Sequence, residues 1–229
     1  MPKPKPKPVS PSDLRPDFRP DFSHEQDLID RHGGPIAGID EVGRGPLAGP
    51  LIAAAAVIDP ATCPDGLHDS KKLTPKRRDT LFAALQGTAH YGLGVIEVAE
   101  LDRINNIHTA SLLAMRRAFD ALSEKVQPAA ALIDGRFVPD LPCPAVALVK
   151  GDARALSIAA ASIIAKVTRD RIMTELATAF PHYGWHTNAG YGSKLHMEAL
   201  KTHGITPHHR LSFAPVAAAA TISSSSESK

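Results

Sequence analysis

Gly38-Ile39-Asp40-Glu41-Val42-Gly43-Arg44-Gly45-Pro46-Leu47-Ala48 is the stretch of this sequence that says most about its fold. An apolar run ends in two adjacent carboxylates, and Gly-Arg-Gly follows at once. The pattern predicts a buried strand whose end carries oxygen ligands suited to a hard divalent cation. The glycines of the following loop permit positive φ and close approach, and Arg44 supplies a planar set of donors for a phosphate or a sugar. Metal ligands beside an anion-binding loop indicate phosphodiester chemistry.

The segments around this stretch predict an α/β fold with a mixed sheet. Strands are expected where apolar residues run together, and helices where apolar residues recur at helical spacing or a capping pattern begins. The predicted strands are residues 36–39, 51–58, 91–98, 129–133 and 145–149, and the predicted helices are 22–31, 75–86, 101–125, 157–179 and, as the last one, 194–203. The first three strands follow one another as in hairpins. After them, helices alternate with strands, and this order favours a mixed sheet.

Length and composition predict one catalytic domain. The chain has 229 residues, of which 43% are hydrophobic, and this is enough for one good core. We expect the domain to span residues 22 to 216. Residues 1 to 21 are rich in proline and lysine and are expected to form a disordered arm, because they offer little apolar surface to bury. Residues 217 to 229 are expected to form a disordered tail.

Charge and hydropathy narrow the location and the mode of binding. No apolar run reaches the roughly eighteen residues of a membrane span, and the charged start has no apolar segment behind it, so we expect a soluble, cytoplasmic protein without membrane contact. Residues 1 to 20 hold five lysines and arginines against two aspartates, although the net charge of the chain is only +2. A nucleic-acid-binding core would therefore need a local basic patch.

Four acidic residues fall at or just beyond the ends of predicted strands: Asp40, Glu41, Asp134 and Asp152. The ends of neighbouring strands meet at one edge of an open α/β sheet, so these side chains are expected to converge. Converging carboxylates repel one another unless cations neutralise them. Two Mg²⁺ or Mn²⁺ ions about 4 Å apart could activate a water and stabilise the leaving oxygen of a phosphoryl transfer. The alternative is that Asp134 lies in a simple turn and Asp152 caps a helix.

Other constellations receive no support from the sequence. The glycines at positions 43, 45 and 49 miss the spacing of a dinucleotide-binding loop, and no phosphate loop ending in Gly-Lys-Ser or Gly-Lys-Thr occurs. The histidines near the C-terminus do not pair at the spacing of zinc ligands, so a zinc site is not expected there.

Seven blocks of this sequence resemble the bacterial ribonuclease HII family. They occur in the family's order and span most of residues 36 to 215. The blocks are residues 38–50 (GIDEVGRGPLAGP), 69–73 (DSKKL), 133–135 (IDG), 150–152 (KGD), 159–170 (AAASIIAKVTRD), 190–192 (GYG) and 209–213 (HRLSF). Any one block alone would be unspecific, whereas several in register are highly specific.

The resemblance implies a ribonuclease H-like fold, with a five-stranded mixed sheet flanked by helices and a C-terminal helical extension. It implies an endonuclease that hydrolyses the RNA strand of RNA–DNA hybrids. It also implies cleavage on the 5′ side of a single ribonucleotide embedded in duplex DNA, which leaves a 3′-hydroxyl and a 5′-phosphate. The expected cofactor is Mn²⁺ or Mg²⁺, and the expected partners are these nucleic acids, bound by a monomer.

The resemblance also assigns roles to individual residues. Asp40, Glu41, Asp134 and Asp152 are expected to be the catalytic, metal-binding carboxylates. The substrate-binding residues implied are Gly43, Arg44, Gly45, Lys71, Lys72 and Tyr191. In this scheme the Gly-Arg-Gly loop senses the ribose 2′-hydroxyl at the RNA–DNA junction. Tyr191 stacks on the following deoxyribose, where an added 2′-hydroxyl would clash.

Two other functions stay open from the residues alone. The same fold could serve a nuclease or strand-transfer enzyme that acts on DNA only. The acids could instead be caps and turns in a non-catalytic nucleic-acid-binding module, which would bind without metal and without hydrolysis.

Overall fold

A computed structural model describes the backbone of residues 19 to 226 and the side chains of residues 19 to 221. Residues 1 to 18 of the predicted arm and residues 227 to 229 of the predicted tail lie outside this range.

Five strands form one mixed sheet within the described residues. They are β1 (Ile36–Val42), β2 (Leu51–Ile58), β3 (Ala89–Ile96), β4 (Ala130–Asp134) and β5 (Ala145–Leu148). Their order across the sheet is β3-β2-β1-β4-β5. Strand β2 pairs antiparallel with both β1 and β3, whereas β4 pairs parallel with both β1 and β5. The predicted mixed α/β sheet is confirmed.

Helices cover both faces of the sheet and continue beyond it. They are α1 (Ser23–His32), α2 (Pro75–Thr88), α3 (Val98–Ile104), α4 (Ile107–Ser123), α5 (Leu156–Ala179), α6 (Trp185–Asn188), α7 (Lys194–His203) and α8 (Ala214–Ser226). In the described part of the chain, none of these helices combines the length and the apolar character needed to cross a bilayer.

The sheet lies unusually close to its two main helices because small residues face them. A Cβ on Gly94 of β3 would overlap the carbonyl oxygen of Ala114 in α4, and a Cβ on Gly38 of β1 would overlap the backbone of α5 at Ser157. The front half of α5 presents alanines 159, 160 and 161, all fully buried. Since α5 packs tightly against β1, it holds the end of that strand in a fixed position.

The predicted single helix over residues 101–125 is wrong, because the structure has two helices there. Asn105 adopts a left-handed backbone with φ of 48° and ends α3. Asn106 then accepts hydrogen bonds from the amides of His108 and Thr109, which starts α4. Asparagine suits both positions, since it tolerates positive φ and caps helices well.

The C-terminal segment also differs from expectation, since α7 is not the last helix. Disorder is predicted from residue 217 onwards, but α8 continues as far as residue 226. Alanine is the strongest helix former, and the buried residues Val216 and Ala219 pack α8 against the cluster around Trp185. These residues with α7 form the expected C-terminal helical extension.

The chain enters the domain through two contacts made before β1. Asp21, placed in the disordered arm by the prediction, instead pairs with Ala155, and its amide donates to Arg154. Glu25 of α1 is fully buried. Its carboxylate accepts hydrogen bonds from the amide and the hydroxyl of Ser157, at 2.7 and 2.6 Å. A side chain of α1 therefore caps the start of α5, whose own N-cap residue makes no side-chain bond.

Candidate active site

Asp40 and Asp134 lie side by side at the carboxyl ends of the neighbouring strands β1 and β4. The register pairs Ile39 with Ile133 across the parallel strands β1 and β4, and the next residue on each strand is an aspartate. Adjacent parallel strands end at the same edge, so the two carboxylates leave the sheet together. The convergence predicted for these two acids is confirmed.

The environment of Asp40 disfavours its charge. The side chain is buried beneath α5, where it contacts the hydroxyl of Ser162, and its carboxylate accepts the amide of Glu41 at 2.7 Å. Burial, followed by repulsion from Glu41 and Asp134, holds the pKa of Asp40 well above its ordinary value. The ionised form of Asp40 would therefore be stabilised by a cation bound beside it.

Glu41 is raised in pKa as well, although a cation lies next to it. Burial is the main cause, and Arg44 opposes it through a 3.3 Å ion pair with the Glu41 carboxylate. The Arg44 side chain remains 49% exposed, against 11% for Glu41. The guanidinium is therefore paired with the acidic cluster while about half of the Arg44 side chain faces solvent.

Asp152 joins the cluster through a short turn after β5. Gly151–Ala153 forms a single 3₁₀ turn, and the amide of Gly151 donates to the Asp134 carboxylate at 2.7 Å. A Cβ on Gly151 would come within 2.5 Å of the Ile158 side-chain methyl, so a larger residue there would have to displace that side chain. Burial, with repulsion from Asp69 and Asp134, raises the pKa of Asp152 to about 6. Asp152 is not the N-cap of α5, because Ala155 occupies that position.

These carboxylates share one environment without forming a closed cage. Among residues 19 to 226, no group of three or more histidine, cysteine, aspartate or glutamate side chains is arranged tightly enough to enclose a metal ion. The chemistry of the donor set nevertheless fits Mg²⁺ or Mn²⁺, because the oxygens are hard ligands. All four acids also have raised pKa values, which a bound cation would reverse.

Lys71 faces the same acids from the other side. Asp69 caps the 3₁₀ turn Ser70–Lys72 by accepting the amide of Lys71 at 2.9 Å. Ser70 then meets Ser162 of α5 at 3.0 Å, which fixes the turn beside Asp40. Partial burial works against the charge of Lys71, but Asp40 and the other acids outweigh it and raise the lysine's pKa. Lys72 lies on the same turn and is exposed.

The Gly-Arg-Gly loop and Tyr191 form a pair beside the carboxylates. A Cβ on Gly45 would come within 3.3 Å of the Tyr191 ring. The amide of Leu47 donates to the carbonyl of Gly190 at 2.8 Å, which joins the loop to the turn that carries the tyrosine. Tyr191 is 50% exposed. A half-exposed aromatic ring next to closely approachable backbone suits the C–H face of a sugar ring.

A buried histidine pair supports Tyr191 from behind. The amide of Thr206 donates to Nδ1 of His209, so the proton of this neutral ring lies on Nε2, 3.0 Å from Nε2 of His196. His196 therefore accepts there and donates from Nδ1 to the carbonyl of Tyr191 at 2.9 Å. Trp185 donates to the same nitrogen of His196. Hydrogen bonds inside the protein thus hold both histidine rings in place behind Tyr191.

Sequence reasoning missed three kinds of residue at the site. Asp69 belongs to a quoted block but received no role, although its position before Ser-Lys is a capping signal. Ser162 lies among the alanines of α5, where the sequence gives no sign of its hydrogen bond to Asp40. Arg169 and Arg210 are buried behind the Gly-Arg-Gly loop, with exposures of 1% and 0%. Both belong to quoted blocks, and Arg210 could be interpreted from the sequence as a structural or phosphate-binding residue, but neither pattern shows that the side chain is buried.

Comparison with known proteins identifies the family. A family model described as Ribonuclease HII matches residues 37 to 216. The chain belongs to the ribonuclease HII family. The ribonuclease HII of Magnetococcus marinus is 56% identical over 182 residues, which cover 79% of this chain and 85% of that protein. The ribonuclease HII of Paramagnetospirillum magneticum is 53% identical over 202 residues, covering 86% and 97%.

Solved structures agree with this family. Ribonuclease H2 from Pyrococcus horikoshii OT3 superimposes with a TM-score of 0.67 at 28% identity, over 82% of this chain and 98% of that one. Bst ribonuclease HIII, solved in complex with Mn²⁺, has a TM-score of 0.69 over 82% and 70%. At 23% identity the latter comparison concerns the fold alone. The ribonuclease H-like fold is thus confirmed, and as a ribonuclease HII the chain is an endoribonuclease of the ribonuclease H class.

Proposed function

We propose that this ribonuclease HII cuts on the 5′ side of a single ribonucleotide embedded in duplex DNA, as well as the RNA strand of RNA–DNA hybrids. The products would be a 3′-hydroxyl and a 5′-phosphate. The observation that carries the proposal is the contact between the Gly43–Gly45 loop and Tyr191 beside the four carboxylates. A nuclease for uniform DNA would need no such paired detector of sugar chemistry.

The carboxylates would hold two divalent ions, Mg²⁺ or Mn²⁺. Asp40 and Asp134 leave adjacent strands together and are the natural central ligands, with Glu41 and Asp152 at the sides. When bound, such ions supply an activated water and charge stabilisation at the leaving oxygen. Arg44 forms an ion pair with Glu41, and Lys71 is close enough to the acids to interact with them electrostatically, so both would lie near the phosphate as it enters.

The Gly43–Gly45 loop would recognise the ribose. Gly43 has φ of 93°, and the loop exposes backbone that can approach a sugar closely. A 2′-hydroxyl both donates and accepts hydrogen bonds, so backbone groups of the loop can distinguish it from hydrogen. Tyr191 would pack against the next sugar, where a deoxyribose fits and a second 2′-hydroxyl is excluded. Together these contacts would place the cut at the last ribonucleotide before DNA.

Affinity for the duplex would come from phosphate contacts by Lys71, Lys72 and Arg44. Such contacts position a duplex without reading its sequence and weaken as salt rises. We further propose that the enzyme acts as a monomer in the cytoplasm.

The test is cleavage of a labelled DNA duplex that holds one ribonucleotide. We expect one cut 5′ of the ribonucleotide, dependent on Mg²⁺ or Mn²⁺, and no cut in an all-DNA duplex. Asp40→Asn and Asp134→Asn should lower the rate by roughly a hundredfold to a thousandfold, while binding persists, because each removes a charge that matters in the transition state.

Three outcomes would contradict the proposal. Near wild-type cleavage by either variant would remove the carboxylates from catalysis. Cutting of the all-DNA duplex would favour a DNA nuclease. Binding without any hydrolysis would favour a non-catalytic module.

A further inference from the structure

Arg169 connects the two parts of the proposed sugar-binding site, which are the Gly43–Gly45 loop and the turn that carries Tyr191. It lies on α5 and is 1% exposed. Its Nε donates to the carbonyl of Pro50 at 2.9 Å, and one terminal nitrogen donates to the carbonyl of Ala48 at 2.9 Å. The other terminal nitrogen donates to the carbonyl of Ala189 at 2.8 Å. The first two carbonyls follow the Gly-Arg-Gly loop, and the third precedes the turn of Tyr191.

The loop is shaped to receive this guanidinium. A Cβ on Gly43 would lie 2.5 Å from Nε of Arg169, whereas one on Gly49 would overlap Sδ of Met173 and lie 3.3 Å from a terminal nitrogen of Arg169. Both glycines have positive φ, at 93° and 82°. Glycine is thus required at the two places where the loop closes over the arginine. The loop conformation and the buried arginine depend on each other.

A planar guanidinium is the side chain that can make this three-way connection. Its donors point in fixed directions, so binding three carbonyls fixes the positions of both segments relative to α5. Arg210 makes similar bonds but contacts only the first segment, through the carbonyls of Arg44, Gly49 and Pro50. Arg169 differs from Arg210 in that it also bridges to the turn at Ala189.

We propose that Arg169 is a positioning residue for junction selectivity, since it sets the distance between the loop that senses the ribose and the tyrosine that excludes a second one. The inference rests on the proposed function. Arg169 touches neither sugar and acts through Ala48 and Ala189. Displacements of about 1 Å in such a site can change rates by two orders of magnitude.

The experiment measures where a run of ribonucleotides is cut. A DNA duplex with four consecutive ribonucleotides in one strand is cleaved, and cuts before the last ribonucleotide are compared with cuts inside the run. This ratio comes from one substrate, so it does not depend on how much of the protein is folded. For Arg169→Lys, which keeps the charge but loses the fork, we expect the ratio to fall about tenfold.

Two further variants show whether the effect passes through Tyr191. Arg117→Lys is the matched control, because Arg117 also donates to a backbone carbonyl, that of Val95, but lies on α4 across the sheet; its ratio should equal that of the wild type. In a Tyr191→Ala background, Arg169→Lys should change the ratio no further, since the partner that it positions is gone.

Hydrogen exchange gives a second readout that needs no substrate. The Leu47 amide, which donates to Gly190, should exchange faster in Arg169→Lys than in the wild type. If Arg169→Lys does not fold, Arg169→Gln, which buries no charge, takes its place in both measurements. An unchanged cut ratio, an equal fall at all positions, or full additivity with Tyr191→Ala would overturn the inference. Absence of any junction cut by the wild type would instead contradict the proposed function, and unchanged exchange at Leu47 would then refute the bridge itself.

Discussion

Asp134 shows how one residue can serve function at the expense of stability. Burial raises its pKa above the ordinary value, although backbone amides oppose the shift. A carboxyl group with a raised pKa in the folded state stabilises the fold when it is protonated at low pH, and this contribution is lost as pH rises through that pKa. At neutral pH without metal, the ionised cluster therefore strains the fold.

Replacing Asp134 should accordingly stabilise the metal-free protein. Asp134→Asn removes one charge and keeps an oxygen that can accept the Gly151 amide. At pH 7 in the presence of a chelator, we expect the melting temperature to rise by roughly 2 to 4 °C, which corresponds to about 1 kcal/mol in a chain of this size. Differential scanning calorimetry would measure it.

The matching control is Asp140→Asn, since Asp140 is a fully exposed carboxylate on the loop after β4. It should leave the melting temperature unchanged. Addition of Mn²⁺ should raise the melting temperature of the wild type more than that of Asp134→Asn. A lower melting temperature for Asp134→Asn in chelator would contradict the destabilising effect of the buried Asp134 charge.

The carboxylates of the site could be predicted from the sequence, but the buried residues that hold the surrounding loops in place could not. Asp40 and Asp134 could be placed because each ends an apolar run, and strand ends in such sheets converge. Arg169 could not, because an arginine in a helix is ordinarily solvated. Its burial depends on two glycines more than a hundred positions away in sequence.

The break between α3 and α4 illustrates prediction at the level of elements. Apolar spacing continues from Leu101 across the break, so periodicity alone predicted one helix. The two asparagines override it locally. Strand β2, in contrast, was predicted to the residue, because a short apolar run bounded by proline and aspartate has few other structures to adopt.

The cap at Asn106 should contribute measurably to stability. Its side chain accepts two backbone amides at the start of α4, at 3.0 and 3.1 Å. We expect Asn106→Ala to lower the free energy of unfolding by about 1 kcal/mol, as measured by urea denaturation.

Asn105→Gly serves as the control for this substitution, because glycine keeps the left-handed backbone and should change the free energy of unfolding by less than about 0.5 kcal/mol. Equal losses for the two variants would show that the break, and not the cap, governs stability here.

At the scale of the whole molecule, stability should depend on pH through groups of opposite sign. Acids with raised pKa values stabilise the fold as pH falls. His209 acts the other way: burial, followed by repulsion from His196, lowers its pKa from the ordinary 6.5 to about 4. Because the pKa of His209 is lowered in the folded state, the neutral ring contributes to the free energy of unfolding above pH 6.5. This contribution is lost as the pH falls towards 4.

A difference between two proteins isolates the histidine. We expect His209→Gln to be less stable than the wild type at pH 7, and the gap to narrow by up to about 3 kcal/mol by pH 4.5. Gln cannot gain a proton, whereas the wild type must either unfold or place a charge beside His196. Urea denaturation at both pH values measures the gap, and a gap that stays constant would show that His209 is not held neutral by the fold.

The bond from Glu25 to Ser157 has a consequence for where this protein begins as a folding unit. The family match starts at residue 37, yet the residue that caps α5 comes twelve positions earlier. A version trimmed to the family boundary would keep every catalytic side chain and lose the group that holds the first turn of the helix under them. The range of the family model thus covers the catalytic side chains, whereas the range that the fold needs also includes this one buried carboxylate.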